Sequence, residues 1–564
     1  MSGKLMTNEM VAQRERGRLE AELSPALPGK CNPRNFDVCI GRIVSISGSE
    51  ATVRMDVDPD HLAHLQYPQL QIGSLIKTRT PHSCVFGVIG GLTIPVAPEE
   101  NSSDEVRLAR VDLLGERLFQ PDDRPGQFQR GISFYPTLAD EVFAATPEDL
   151  ADVYMSPTMP ALSVGTIHQD RAIPAYVMMD ELLGKHFAIL GSTGTGKSCA
   201  LAVLLREILS EHLNGHILLL DPHGEYAQPF GDAAEVLTPD NLQLPYWLLT
   251  FEEIEELVLD DDDETESSIL HEVIVAAKRL YAEKDENIER ITVDTPIPYR
   301  LGDVARLLDE RAGRLDRPTE CAPYLRLQAR FAALQSDPRF GFIFPGLAVR
   351  DNMARIVSQL FRIPVGSRPI TIVDLSGVPS EILNVVVSVL CRMAFDFALW
   401  SERSGSAPIL VVCEEAHRYA PRDPTRGFEP TKRALSRIAK EGRKYGVSLG
   451  LVTQRPSELA AELVSQCNTI FALRLANEKD QRFVRGVLSE AGVGLMDFLP
   501  SLRNSEAIAV GEGVPVPVRL CFHELTEKQR PKGGTAKFSK AWRTEEKNEL
   551  FVEDVVYHWR WQRR

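Results

Sequence analysis

Apolar residues are distributed along this chain in three successive styles, and each predicts a different kind of structure. From Phe36 to about Leu114, short apolar runs alternate with turn signals. Val38-Cys-Ile-Gly-Arg-Ile-Val-Ser-Ile46, the turn Ser47-Gly-Ser-Glu50 and Ala51-Thr-Val-Arg-Met-Asp-Val57 read as a β-hairpin whose second strand alternates. Leu70–Thr78, Ser83–Leu92 and Val106–Phe119 continue in the same style, and short strands at this spacing predict a small barrel. In the second style, apolar strands are separated by helical segments. The strand candidates are Phe187–Leu190, His216–Leu220, Ile370–Leu375, Ile409–Cys413, Val447–Thr453 and Thr469–Leu475. That alternation predicts an α/β fold with a mainly parallel sheet. The third style interrupts the second: from Leu249 to about Leu347 the strand signal vanishes, and a segment rich in Glu, Leu, Ala and Arg predicts an inserted helical bundle. Its run Asp260-Asp-Asp-Asp-Glu264 reads as a solvated loop rather than a metal site.

Composition narrows the class. The 564 residues exceed what one core can hold, and 43% apolar with 25% charged residues is ordinary for a globular protein. Nine cysteines without a C-x-x-C pair argue against a zinc site and for a reducing compartment. Met1 to Ala21 carries no signal pattern, and the apolar stretch Val385–Trp400 is broken by Arg392 and Asp396, so a cytoplasmic protein without a membrane span is expected. The net charge of −16 speaks against coating nucleic acid over a broad surface. It leaves open a ring that holds DNA in a narrow channel with a few cations per subunit.

The chemistry is concentrated at strand ends. Gly191-Ser-Thr-Gly-Thr-Gly196-Lys197-Ser198 spells G-x-x-x-x-G-K-[ST] between the strand Phe187–Leu190 and a helical run from Cys199. Backbone N–H groups of Gly191, Ser192, Thr193, Gly194, Thr195, Gly196, Lys197, Ser198 and Cys199 would cradle phosphates at the positive end of a helix. Lys197 would reach the β- and γ-phosphates of ATP, and Ser198 would join the shell of a Mg²⁺ ion. Ile409-Leu-Val-Val-Cys413 ends in Glu414 and Glu415; Glu414 is assigned to the metal shell and Glu415 to water activation. His216–Leu220 ends in Asp221-Pro-His223-Gly-Glu225-Tyr226, which reads either as a turn capped by Asp221 or as a water-positioning element. Gln454, after Val447–Thr453, is placed to sense the γ-phosphate or to orient the attacking water. Arg433, Arg437, Lys440 and Lys444 recur at helical spacing, a solvated basic face on the bland reading. Arg443, just off that stripe, is the candidate arginine finger, with Arg474 as the second.

Together these motifs resemble the HerA family of hexameric DNA translocases, bacterial type, in the HerA/FtsK branch of RecA-like ATPases. The resemblance rests on Leu183-Gly-Lys185-His186, Asp221–Tyr226, Glu414-Glu-Ala-His417, Ile438–Gly446, Thr453-Gln-Arg-Pro-Ser457 and Ala507–Pro515. Covering about 36–525, it implies a β-barrel and linker at 36–164 and a RecA-like core at 165–249 and 348–525 split by a helical bundle at 250–347; the polar, proline-broken 1–35 reads as an irregular segment and 526–564 as a tail. It further implies an ATPase acting as a homohexamer on double-stranded DNA. A nuclease of the NurA kind, or a sirtuin-like effector in antiphage defence, would dock on the barrel. The alternative from another class is a ring scaffold that regulates such an effector through its ATP state without translocating.

Overall fold

The computed structural model describes residues 37–56, 70–94, 106–120, 125–154, 159–259, 263–314, 317–344, 349–403, 405–423, 428–487, 493–533, 538–544 and 549–561. The segment 1–35 and most of the Asp260–Glu264 run lie outside the described residues.

Six strands close the barrel. Glu50–Met55 pairs with Cys39–Ser47, which pairs with Glu141–Ala144; Leu75–Arg79, Ser83–Thr93 and Arg107–Phe119 follow, and the last returns to Glu50–Met55. Successive residues of a strand point to opposite faces, and Ser83–Thr93 uses both. Val85 and Ile89 fill the barrel with Ile40, Ile43, Val53 and Val111. Cys84, Phe86 and Val88 face outward into the main core of the protein. One strand thus serves two cores, and Arg130 Nη1 adds a tie by donating to the Gly511 carbonyl at 2.8 Å.

Eleven strands form the large sheet. Its parallel part runs Ala234–Leu237, Ile370–Asp374, Ile217–Asp221, Ile409–Cys413, Val447–Thr453, His186–Leu190 and Cys467–Leu473. Glu506–Gly511, Val518–Phe522, Ala161–Ile167 and Pro174–Met178 extend it antiparallel, so the sheet is mixed and starts at Ala161. The parallel strands His186–Leu190, Ile217–Asp221, Ile409–Cys413 and Val447–Thr453 are buried throughout, as continuous apolar runs covered on both faces should be.

Among the described residues, the inserted segment holds four α-helices, Phe251–Val258, Glu264–Tyr281, Leu301–Ala312 and Pro318–Ser336. Its entrance is fixed by a capping box between Thr250 and Glu253. Glu253 is almost fully buried because Arg392 pairs with it at 2.9 Å and the Ser388 hydroxyl donates to it at 2.7 Å. This pairing explains the arginine inside the apolar helix Ser380–Ser401. Ile382–Ser401 is long and apolar enough to cross a membrane by composition, yet it is 72% buried inside the fold.

Candidate active site

Parallel pairing brings the motif-bearing strand ends to one edge of the sheet. Leu190 lies opposite Thr453 and Ala472, Leu220 opposite Cys413, and Cys413 opposite Leu451. Side chains that follow these strands therefore converge at their carboxyl ends, where open α/β sheets place ligands.

The loop after Leu190 turns directly into the helix Lys197–Glu211, and its first helical cap, Gly196, holds φ at +103°. Gly191 is needed for space: a Cβ there would sit 2.8 Å from the Leu473 Cβ. The Gly191 N–H donates to the Thr453 carbonyl at 3.3 Å, and the Ser192 N–H donates to the Arg474 carbonyl at 2.9 Å. Inside the loop, Thr195 Oγ1 and Lys197 Nζ both donate to the Ser192 carbonyl, at 2.8 and 3.0 Å. Thr193 and Gly194 form the exposed crown, and Thr193 Oγ1 donates to Gln454 Oε1. Ser198 and Cys199 are half-buried in the first helical turn. Lys197 is 9% exposed, and burial lowers its pKa against the opposing pull of Glu415, Glu414 and Glu225.

Ser198 Oγ donates to Glu414 Oε1 at 3.3 Å, and the Tyr226 hydroxyl donates to the same oxygen at 2.8 Å. The second oxygen, Glu414 Oε2, is buried without a hydrogen-bond partner. Burial, reinforced by the Asp221 charge, pushes the Glu414 carboxyl up to about 8. An orphaned, desolvated carboxylate oxygen beside a serine hydroxyl and a phosphate loop is a donor set that fits a hard cation such as Mg²⁺. Glu415 follows in a left-handed backbone conformation, φ +52°, with its side chain within 3.2 Å of His417.

Asp221 is committed to its own turn. Its carboxylate accepts the backbone N–H groups of His223, Gly224 and Tyr226 at 3.1, 2.9 and 3.0 Å, so it caps the turn that presents Tyr226 to Glu414. The basic stripe is likewise tied up: Arg433 pairs with Glu252 at 2.6 Å, Arg437 with Asp396 at 3.3 Å and Lys440 with Glu462 at 3.5 Å. Arg443 is exposed and has no ion pair among the described residues. It lies in the last turn of the helix Glu429–Tyr445, which feeds the start of Val447–Thr453. The phosphate loop is at the other end of that strand, roughly 20 Å away at ~3.3 Å per residue. Arg443 is therefore not brought together with the rest. Arg474 touches the loop through its backbone carbonyl, which accepts the Ser192 N–H, while its guanidinium donates to Asn504 Oδ1 at 3.0 Å and to the Leu502 carbonyl at 3.4 Å.

The family model described as "Helicase HerA, central domain" matches residues 162–394. The DNA double-strand break repair helicase HerA of Pyrococcus furiosus is 26% identical over 424 residues, covering 67% of this chain and 72% of the relative. The protein of the same name from Sulfolobus acidocaldarius is 24% identical over 450 residues, covering 74% and 80%. The middle of the chain thus matches the HerA central domain, and most of its length is similar to HerA helicases. Among solved structures, VirB4 of Thermoanaerobacter pseudethanolicus is similar at 17% identity and a TM-score of 0.47, covering 66% of this chain and 98% of VirB4.

The site of this ATPase also contains side chains whose contacts the motif spacing does not announce. Tyr226 bonds Glu414, and only its fixed distance from Asp221 in the strand-end motif could have hinted at that. His417 and Thr453 meet at 3.0 Å, a contact between two strand ends that no spacing reveals. The segment after Glu524 lies against the site: the Lys532 N–H donates to the Glu225 carbonyl at 3.0 Å and Pro531 is buried.

The state of Glu414 has a measurable consequence. Its carboxyl titrates near 4.5 as a free group and about 8 in the fold. The folded state therefore binds more protons across that window, and this group withdraws stability as pH rises through it. Glu414→Gln, which keeps the shape without the charge, should leave the Tm of the nucleotide-free protein unchanged near pH 4.5 and raise it at pH 8. Thermal melts of both proteins across this range check it; a variant no more stable than the parent at pH 8 would mean that Glu414 is not desolvated.

Proposed function

We propose that this protein is an ATP-driven translocase on double-stranded DNA that works as a homohexameric ring. The HerA relatives bear the name of DNA double-strand break repair helicases. The observation that carries the ring is the division of the site. Loop, Lys197, Glu414, Glu415 and Gln454 gather at one sheet edge, while the exposed Arg443, without an ion pair among the described residues, stands at the opposite edge. A ring packs one edge against the next, and Arg443 then completes the site of a neighbour.

In this reading the loop residues bind the phosphates of ATP. Ser198 and the free oxygen of Glu414 hold Mg²⁺, which when bound neutralises charge on the phosphate oxygens. Glu415 accepts a proton from the attacking water, Gln454 reports the γ-phosphate to the Thr193 crown, and Arg474 acts within its own chain's site. The barrel, built into the core through Phe86, is the docking surface for a nuclease-type or sirtuin-like effector, in DNA end processing or antiphage defence in the cytoplasm.

The neutralised basic stripe and the net charge of −16 favour a second reading, a ring scaffold that controls an effector through its nucleotide state. ATPase rate with and without linear duplex DNA separates the two, on protein of known solution mass. The translocase should be a hexamer stimulated severalfold by duplex and silenced by Lys197→Ala. A hexamer indifferent to duplex would leave the scaffold.

A further inference from the structure

Glu415 is surrounded in an unusual way. A non-glycine residue at φ +52° is held there by its surroundings. Here the turn leads from the strand Ile409–Cys413 into the short helical turn Ala416–Arg418. The carboxylate that results is 10% exposed and lies between two imidazoles. His417 Nδ1 is 3.2 Å from Glu415 Oε2, and His223 Nε2 is 4.0 Å from Oε1. Neither contact has the geometry of a hydrogen bond to Oε2, which is buried and unsatisfied.

His417 Nδ1 is engaged elsewhere, 3.0 Å from Thr453 Oγ1. That hydroxyl also accepts the Arg455 N–H at 3.1 Å. Thr453 is fully buried, its carbonyl accepts the first N–H of the phosphate loop, and the next residue, Gln454, touches Thr193 of the loop crown. A single ring nitrogen thus stands between the strand that borders the phosphate loop and the carboxylate that faces it. A neutral imidazole carries one N–H. With a lone pair on Nδ1, a carboxylate 3.2 Å away would be repelled; with a proton there, it is attracted. The position of Glu415 therefore selects the tautomer with hydrogen on Nδ1, leaving a donor that a small ring rotation can direct to either neighbour.

We propose that His417 is a positioning residue, whose Nδ1–H is passed between Thr453 and Glu415 and so sets where the Glu415 carboxylate points relative to the phosphate loop. This rests on the reading of Glu415 as the water-activating group. Closure of the loop on the γ-phosphate would move Gln454, and Thr453 with it, which releases the donor to Glu415. The carboxylate is then aimed only when the loop is filled.

The two imidazole nitrogens can be mimicked separately. Asparagine places an amide N–H near the position of Nδ1, and glutamine places one near Nε2. Steady-state ATP hydrolysis by the full-length protein should show His417→Ala and His417→Gln losing about ten- to a hundredfold in kcat. KM for ATP should stay within about twofold, and His417→Asn should recover most of the loss. Wild-type kcat in all three variants, or an asparagine variant as slow as alanine, would overturn the proposal. So would a loss expressed in KM. Glu415→Gln in the same assay tells the two levels apart. If Glu415→Gln is inactive while His417→Ala is normal, only the positioning role fails; if Glu415→Gln turns over normally, the water-activating reading fails and takes this one with it.

Discussion

Arg443→Ala should lower ATP turnover of the assembled ring by roughly 10³-fold or more, the scale on which an arginine finger acts, while ATP affinity stays near that of the parent. The affinity survives because the residue is about a strand's length (~20 Å) from its own phosphate loop, where it can touch no bound phosphate of the same chain. Its helical neighbours Arg433, Arg437 and Lys440 are already held by Glu252, Asp396 and Glu462, so their removal costs surface ion pairs and, for Arg437, its stacking on Phe395. Turnover at matched ring mass, with nucleotide affinity measured beside it, checks the first half. Mixing subunits checks the second. Rings assembled from Arg443→Ala and Lys197→Ala chains should regain part of the lost activity, because some interfaces then pair an intact loop with an intact arginine. Normal turnover in Arg443→Ala rings would remove this residue from the site and bring Arg474 forward.

Glu415→Gln should produce a protein that binds ATP and holds it. The substitution removes the base without changing the size of the side chain, and general-base loss costs about 10²–10⁴-fold in rate. Lys197, Ser198 and Glu414 are untouched, so the phosphate cradle persists. Filter-retained ATP after a single-turnover chase would reveal the trapped nucleotide. Turnover within a few-fold of the parent would hand water activation to another group.

The strand ends were legible because buried parallel strands are continuous apolar runs, and polar residues that terminate them stand out. That logic gave the loop, Glu414, Glu415 and Gln454, and the structure gathers them at one edge. Shorter or alternating strands were harder to read. Ala234–Leu237 has four residues at the sheet's margin, and Ala161–Ile167 alternates like the barrel strands before it. The basic stripe was legible as a solvated face but not in its pairing. Its spacing was real, but the acids that neutralise it come from three other elements: Glu252 from the inserted helices, Asp396 from the core helix and Glu462 from a later turn. No pattern along one helix can announce its partners. Asp221 shows the same limit on a smaller scale, since only the folded turn reveals that three N–H groups consume its carboxylate.

The strand Ser83–Thr93 decides how the barrel can be studied at all. With Val85 and Ile89 turned one way and Phe86 and Val88 the other, the barrel wall doubles as the lid of the ATPase core. Cutting the chain between the two would strip a fully buried phenylalanine's cover from the sheet. The remnant would be sticky and loosened at its base, and its failure to bind an effector would say nothing about where the effector sits. Testing for such a contact calls for charge reversals on the barrel's outer skin, at exposed positions such as Arg42 and Arg54, with both cores left whole.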